Sequence, residues 1–229
     1  MSQHLLLLHG ALGSQEQLAP LADLLANTFT VHRLNFEGHG GRPSSTPFSM
    51  NGFVANVLQF LEKQQLSKVS ILGYSMGGYV ALNLALQHPL LVDKIITLGT
   101  KFNWSIEAAN KEVKMLNPSI IEQKVPQFAA KLQQVHAPND WKELLNKTAQ
   151  MMLGLANGNK LIPSDLEQIQ QKVLIGIGSL DNMVSVEESR DVATFLAKGQ
   201  LQELEGFYHP IEKNDLPQLA TVIEGFLTS

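Results

Sequence analysis

The chain has 229 residues, with 17 Lys and Arg against 21 Asp and Glu, a net charge of −4 at neutral pH. At that length a single α/β domain buries roughly 70% of the surface its unfolded chain exposes and needs no covalent staple. An apolar share of 44% excludes a disordered chain, the acidic balance without basic clusters excludes nucleic acid as a partner, and the absence of cysteine excludes disulfides, thiolate zinc sites and a cysteine nucleophile.

The first apolar run, Leu5–Leu8, falls far short of the ~20 residues a membrane span requires. It also lacks the basic start and small-residue cleavage site of a signal peptide, so the expectation is a cytoplasmic protein with no membrane span. The run reads instead as a buried strand, as do Phe29–Asn35, Lys68–Leu72, Lys94–Leu98, Val173–Ile177 and Leu201–Glu205, because parallel strands buried on both faces are continuously apolar. The intervening segments are long enough for crossover helices. Met76 to Gln87 has helical spacing through Val80 and Leu84 and stops before His88-Pro89. The alternation predicts an α/β fold: a doubly wound, mostly parallel sheet of about six strands.

The alternation breaks once. Between Leu98 and Val173 no strand is evident, and two amphipathic helical stretches stand out. One runs through Ile121, Val125, Phe128, Leu132 and Val135; the other through Trp141, Leu144, Leu145, Thr148, Met151 and Met152, behind a candidate Asp140/Glu143 capping box. The turn from His136 to Asp140 separates them, and Asn157-Gly158-Asn159 closes the region. The expectation is one domain over residues 1–229 with a helical lid, residues 101–165, inserted between two strands.

The sharpest chemical signal is Gly73-Tyr74-Ser75-Met76-Gly77-Gly78. Gly-x-Ser-x-Gly is weak alone, but here it follows a strand and opens a helix, as a nucleophile elbow must. The other readings are a glycine-rich turn with an idle serine, or a phosphate cradle, although the Gly-x-Gly-x-x-Gly and P-loop patterns are missing. A serine nucleophile needs a base held by a carboxylate. Of seven histidines, His4, His32 and His88 lie at strand edges or a helix end, and His136 falls in the insertion's turn, where a surface position is expected. His209 follows the last strand and would share the carboxyl edge of the sheet with Ser75. Asp181, in Gly178-Ser179-Leu180-Asp181-Asn182, follows the preceding strand at that same edge, whereas Asp93 and Asp165 precede their strands. Asp181 also reads as a turn former or a helix cap. His9-Gly10-Ala11-Leu12-Gly13 follows the first strand, and the backbone N–H groups of Ala11 and Met76 are the candidate donors of an oxyanion hole, with His9 tying the loop in place.

These motifs together resemble the α/β-hydrolase superfamily, in its small single-domain esterase-like branch. The likeness covers the whole chain and includes Asn35-Phe36-Glu37-Gly38-His39-Gly40, where the family commonly begins with Asp. Asn35 there is expected to alter loop hydrogen bonding, not the triad, and His39 matches a loop feature. The resemblance implies Ser75 as nucleophile, His209 as base and then acid, Asp181 as the orienting carboxylate, and no metal or organic cofactor. A serine at the elbow, where relatives that open epoxides or displace halide carry Asp, argues against those two chemistries.

The expected activity is hydrolysis of a small, largely apolar ester or thioester by a monomer or homodimer. Leu12, Phe102, Trp104, Met151 and Met152 are the candidate substrate contacts, Met115 a further one, although side chains at such helical spacing are more often core packing. Lys101 is a candidate for a substrate carboxylate. Lactonase, carbon–carbon hydrolase and lyase chemistries of the same fold remain open. So does a ligand-binding or signalling protein on a hydrolase scaffold with slow turnover or none.

Overall fold

The computed structural model describes residues 3–229. Six strands form one parallel sheet: β1 His4–Leu8, β2 Thr30–Leu34, β3 Val69–Tyr74, β4 Val92–Leu98, β5 Lys172–Gly178 and β6 Gly199–Leu204, in the order β2-β1-β3-β4-β5-β6. Each coincides with one of the six expected strands, its ends shifted by at most two residues, but β2 and β6 lie at the edges of the sheet and are partly exposed where buried strands were expected. The chain winds outward from β1 to β2, then crosses back to β3 on the other side of β1. That reversal leaves a crevice between the carboxyl ends of β1 and β3, where open α/β sheets hold ligands.

The period of two in β1 divides its leucines between the faces of the sheet. Leu6 and Leu8 pack with α2 (Met50–Lys63), α3 (Met76–Gln87) and α9 (Val186–Phe195); Leu5 and Leu7 pack with α1 (Ala19–Leu25) and α10 (Leu216–Thr228). All four are fully buried, and burying each such side chain contributes about 1.5–3 kcal/mol. The helices begin where the sequence supplies caps. Ser49 accepts the Gly52 N–H at the head of α2, and Ser185 with Glu188 forms a capping box on α9.

Between β4 and β5 the chain makes α4 (Ile106–Met115), α5 (Pro118–Lys124), α6 (Pro126–His136), α7 (Trp141–Gly154) and the single turn α8 (Pro163–Leu166). The stretch from Ile121 to Val135 is therefore two helices and not one. Pro126 has no N–H to donate and forces Val125 off helical geometry, to φ −139° and ψ 60°. The capping box expected on α7 is half present. Asp140 accepts from the Lys142 N–H, while Glu143 pairs one turn on with Lys147 at 2.9 Å. The insertion has a small core of its own, with Ile121, Leu132, Trp141 and Leu145, and Leu12 packs against it from the body of the sheet.

Candidate functional site

Ser75 sits between β3 and α3 with φ 51° and ψ −116°, a conformation that costs a non-glycine residue on the order of 1–3 kcal/mol. The neighbourhood holds it there. Its N–H donates to Leu98 at 2.8 Å, and its carbonyl accepts from the Thr100 hydroxyl at 2.9 Å and from the Gly78 N–H at 3.1 Å. The turn is tight enough to need bare glycines. A Cβ on Gly73 would stand 2.3 Å from the Gly78 nitrogen, and one on Gly77 2.3 Å from the Leu8 carbonyl oxygen. The serine side chain is thereby presented to a cavity of about 830 Å³ at the carboxyl edge of the sheet, roofed by the insertion.

His209 and Asp181 meet behind that cavity. His209 Nδ1 is 2.8 Å from Asp181 Oδ2, and the aspartate side chain is only 1% exposed. The two oxygens of Asp181 divide their work. Oδ1 accepts the N–H groups of Met183 and Val184 at 2.8 and 2.9 Å, which folds the loop after β5 and leaves Oδ2 for the imidazole. Asp181 is thus a turn former as well as a histidine partner. Gly99, at φ 58°, clears the space, since a Cβ there would lie 3.1 Å from Asp181 Oδ2. The Tyr74 hydroxyl donates to the His209 carbonyl at 3.0 Å, tying the histidine loop to the elbow itself. That contact was legible only as a tyrosine inside the motif. His209 lines the cavity with Ser75. Ser75 Oγ has no hydrogen-bond partner among the described residues.

Across the cavity, Gly10–Gly13 forms a tight turn closed by the Gly13 N–H on the Gly10 carbonyl at 3.2 Å. The His9 ring pins that same carbonyl through Nδ1 at 2.8 Å and accepts the Phe36 N–H at Nε2, which makes it the structural residue expected. The N–H groups of Ala11 and Met76 donate to no protein acceptor among the described residues, and both residues line the cavity with Ser75. Two free N–H groups from residues lining one cavity, one of them at a helix N-terminus, suit a negative charge.

Of the candidate contacts, Leu12, Trp104, Met151 and Met152 line the cavity, as does Met115. Phe102 does not. Its ring packs 6.1 Å from that of Tyr79, and its N–H is held by Glu188, so the start of the insertion turns it into the wall. Lys101 also faces the cavity but is already engaged, with Glu112 at 3.4 Å and the Met183 carbonyl at 3.0 Å. Asn35 reworks its loop as its polarity allows. Its Oδ1 accepts the Gln15 N–H at 2.7 Å and its amide donates to the Gly40 carbonyl.

His136 is not on the surface. It is fully buried at the end of α6, accepting the Gly40 N–H at Nδ1 and donating from Nε2 to the Leu12 carbonyl, both at 3.0 Å. Its ring lies 5.8 Å from that of His39, which lies 5.1 Å from that of His9. Burial pushes the His9 pKa down to about 4, and it lowers those of His39 and His136 as well. Well above pH 6.5 these rings are neutral whether folded or not. As pH falls from 6.5 towards 4, the unfolded chain takes up protons that the folded chain refuses, and stability is lost. His9 alone should remove about 2 kcal/mol by pH 5. A urea midpoint that is the same at pH 5 as at pH 7 would contradict this.

A protein-family model described as alpha/beta hydrolase fold matches residues 3–152. A probable alcohol acetyltransferase of Cyberlindnera jadinii is 34% identical over 95 residues, 40% of this chain and 27% of that protein. The sn-1-specific diacylglycerol lipase ABHD11 of Xenopus laevis is 29% identical over 134 residues, 58% of this chain and 38% of that protein. The chain thus matches well under half the length of either relative. A thermophilic esterase from Thermogutta terrifontis superposes with a TM-score of 0.81 over 100% of this chain and 90% of its own, at 17% identity, a likeness of fold.

Proposed function

The chain belongs to the alpha/beta hydrolase fold family, and we propose that it is a serine hydrolase cleaving a carboxylic ester or thioester of a small, largely apolar substrate. One observation carries the proposal: an elbow serine at φ 51° shares a cavity with a histidine whose far nitrogen is bound to a buried carboxylate.

With Nδ1–H donated to Asp181, His209 keeps its Nε2 lone pair for the Ser75 proton. Ser75 Oγ attacks the substrate carbonyl carbon as that proton moves to Nε2. The carbonyl oxygen becomes an oxyanion, met by the N–H groups of Ala11 and Met76. Collapse breaks the bond to the leaving oxygen or sulfur, which departs with the proton from His209. Water, activated by the same imidazole, then releases the acid and restores Ser75. An alcohol in place of that water would give a new ester, the exchange named in the Cyberlindnera relative. The methionines, Trp104 and Leu12 supply apolar walls for the acyl group.

A fluorophosphonate probe with mass-spectrometric mapping tests the reading. A single adduct on Ser75, absent in Ser75→Ala, is the expected result. A folded protein that takes no adduct would replace the hydrolase with a ligand-binding protein on the same scaffold.

A further inference from the structure

One buried polar side chain has no part in that acyl-transfer scheme. His136 belongs to the insertion, yet both its ring nitrogens are committed to loops of the sheet: Nδ1 to the Gly40 N–H and Nε2 to the Leu12 carbonyl. Because Gly40 donates to Nδ1, the single proton of the neutral ring must sit on Nε2, where it serves Leu12. Burial, which lowers the proton affinity of His136, keeps the ring in that form.

The Leu12 carbonyl matters for geometric reasons. Leu12 has φ 59°, in the left-handed region that a leucine avoids and a glycine would occupy freely. It is the third residue of the Gly10–Gly13 turn, and Ala11 is the second. In a trans peptide the Ala11 N–H points opposite to the Gly10 carbonyl, so whatever sets the turn sets the line of that N–H. His9 holds the turn at its first carbonyl. At its strained end, the Leu12 carbonyl has His136 as its only hydrogen-bond donor among the described residues. Released, Leu12 would relax towards negative φ and swing the Ala11 N–H off the cavity.

We propose that His136 is a positioning residue for the anion site: from the insertion it clamps the Leu12 peptide, and so keeps the Ala11 N–H aimed at the developing oxyanion. This rests on the serine-hydrolase reading. Docking the insertion is a separate task with its own bonds, since the Asn139 amide donates to the Gly38 and Arg42 carbonyls at 3.2 and 2.8 Å.

Two substitutions divide the bonds of the ring. In His136→Asn the side chain reaches the level of Nδ1, so it can serve Gly40 but falls short of Leu12. In His136→Gln the amide nitrogen reaches the level of Nε2, so it can serve Leu12 and gives up Gly40. Both are measured with p-nitrophenyl butyrate for kcat and KM, and with propyl trifluoromethyl ketone, whose adduct on Ser75 carries an oxyanion. His136→Asn should lower kcat by about 10–10² with KM nearly unchanged, and weaken the ketone by the same factor. His136→Gln should recover most of both. Equal activity in the two variants, or equal loss in both with a fallen Tm, would overturn the clamp. If only the Gln variant folds it still decides: a loss there beyond about tenfold overturns the proposal. A wild-type protein that neither turns over the ester nor binds the ketone refutes the hydrolase reading and the clamp together. An active wild type with an unaffected His136→Asn refutes the clamp alone.

Discussion

Ser75→Ala should lower kcat on an activated ester by about 10⁶, and Asp181→Asn by about 10⁴, with both proteins folded. On the proposed mechanism, the first removes the oxygen that forms the acyl-enzyme. The second is the more informative, because asparagine keeps the shape of the aspartate. Its oxygen can still accept the Met183 and Val184 N–H groups that Oδ1 accepts now, so the loop should stand. The amide NH₂ would then face His209 Nδ1, where Oδ2 now lies at 2.8 Å. An NH₂ group donates and cannot accept, so the imidazole would turn its Nδ1 lone pair to the amide and carry its proton on Nε2. That is the tautomer unable to take a proton from Ser75. Steady-state kinetics with circular dichroism on each variant decides the matter. An Asp181→Asn enzyme with wild-type kcat would remove the aspartate from the mechanism, and a Ser75→Ala enzyme with activity would remove the serine.

The second large effect is on folding. Gly73→Ala and Gly77→Ala should each destabilise the protein by about 3 kcal/mol or more. At Gly73 the new carbon would meet the Gly78 nitrogen at 2.3 Å and the Gly77 carbonyl group at 2.4 Å; at Gly77 it would meet the Leu8 carbonyl oxygen at 2.3 Å and carbon at 2.6 Å. All of these are backbone atoms of β1 or α3, so no side chain can rotate away. Relief requires moving a central strand relative to α3, which disturbs both hydrophobic layers at once. Gly225→Ala, in α10 with nothing near the added carbon, is the control and should be neutral or stabilising by up to about 1 kcal/mol. Urea midpoints for the three variants test this, and an elbow alanine as stable as the Gly225 variant would contradict the crowding argument.

Much of this was legible in the residues. All six strands could be placed, but only β1, β3, β4 and β5 are the apolar runs that a strand covered on both faces shows, whereas the edge strands β2 and β6 carry His32, Arg33, Gln200, Gln202 and Glu203 and are partly exposed. The elbow was legible because glycine on either side of a serine, between a strand and a helix, answers a local steric demand. Asp181 and His209 were singled out by their place after strand ends, since parallel strands bring all such loops to one edge, and the two side chains do meet there. The insertion was read less well. Pro126 was in plain view, and its effect on Val125 is local, so the break between α5 and α6 was recoverable. His136 carried a signal too. With Ala129 and Leu132 it makes the buried i, i+3, i+7 stripe of α6, whereas Phe128 on the neighbouring line is partly exposed at the cavity. Phe102 had no such signal, because the turn that directs it into the wall depends on Glu188, 86 residues away.

The sequence by itself determined the order of strands and helices, the strained serine and the kind of residue at each strand end, because periodicity, caps and turn sterics act within a few residues. Only the tertiary structure decided which polar groups meet. His209 Nδ1 finds Asp181 across 28 residues, Tyr74 finds the His209 carbonyl across 135, and His136 finds the Leu12 carbonyl across 124. A hydrogen bond over such separations leaves no local pattern. It exists because the parallel sheet gathers its carboxyl-end loops at one edge, and because burial there makes an unpaired polar group too costly to leave.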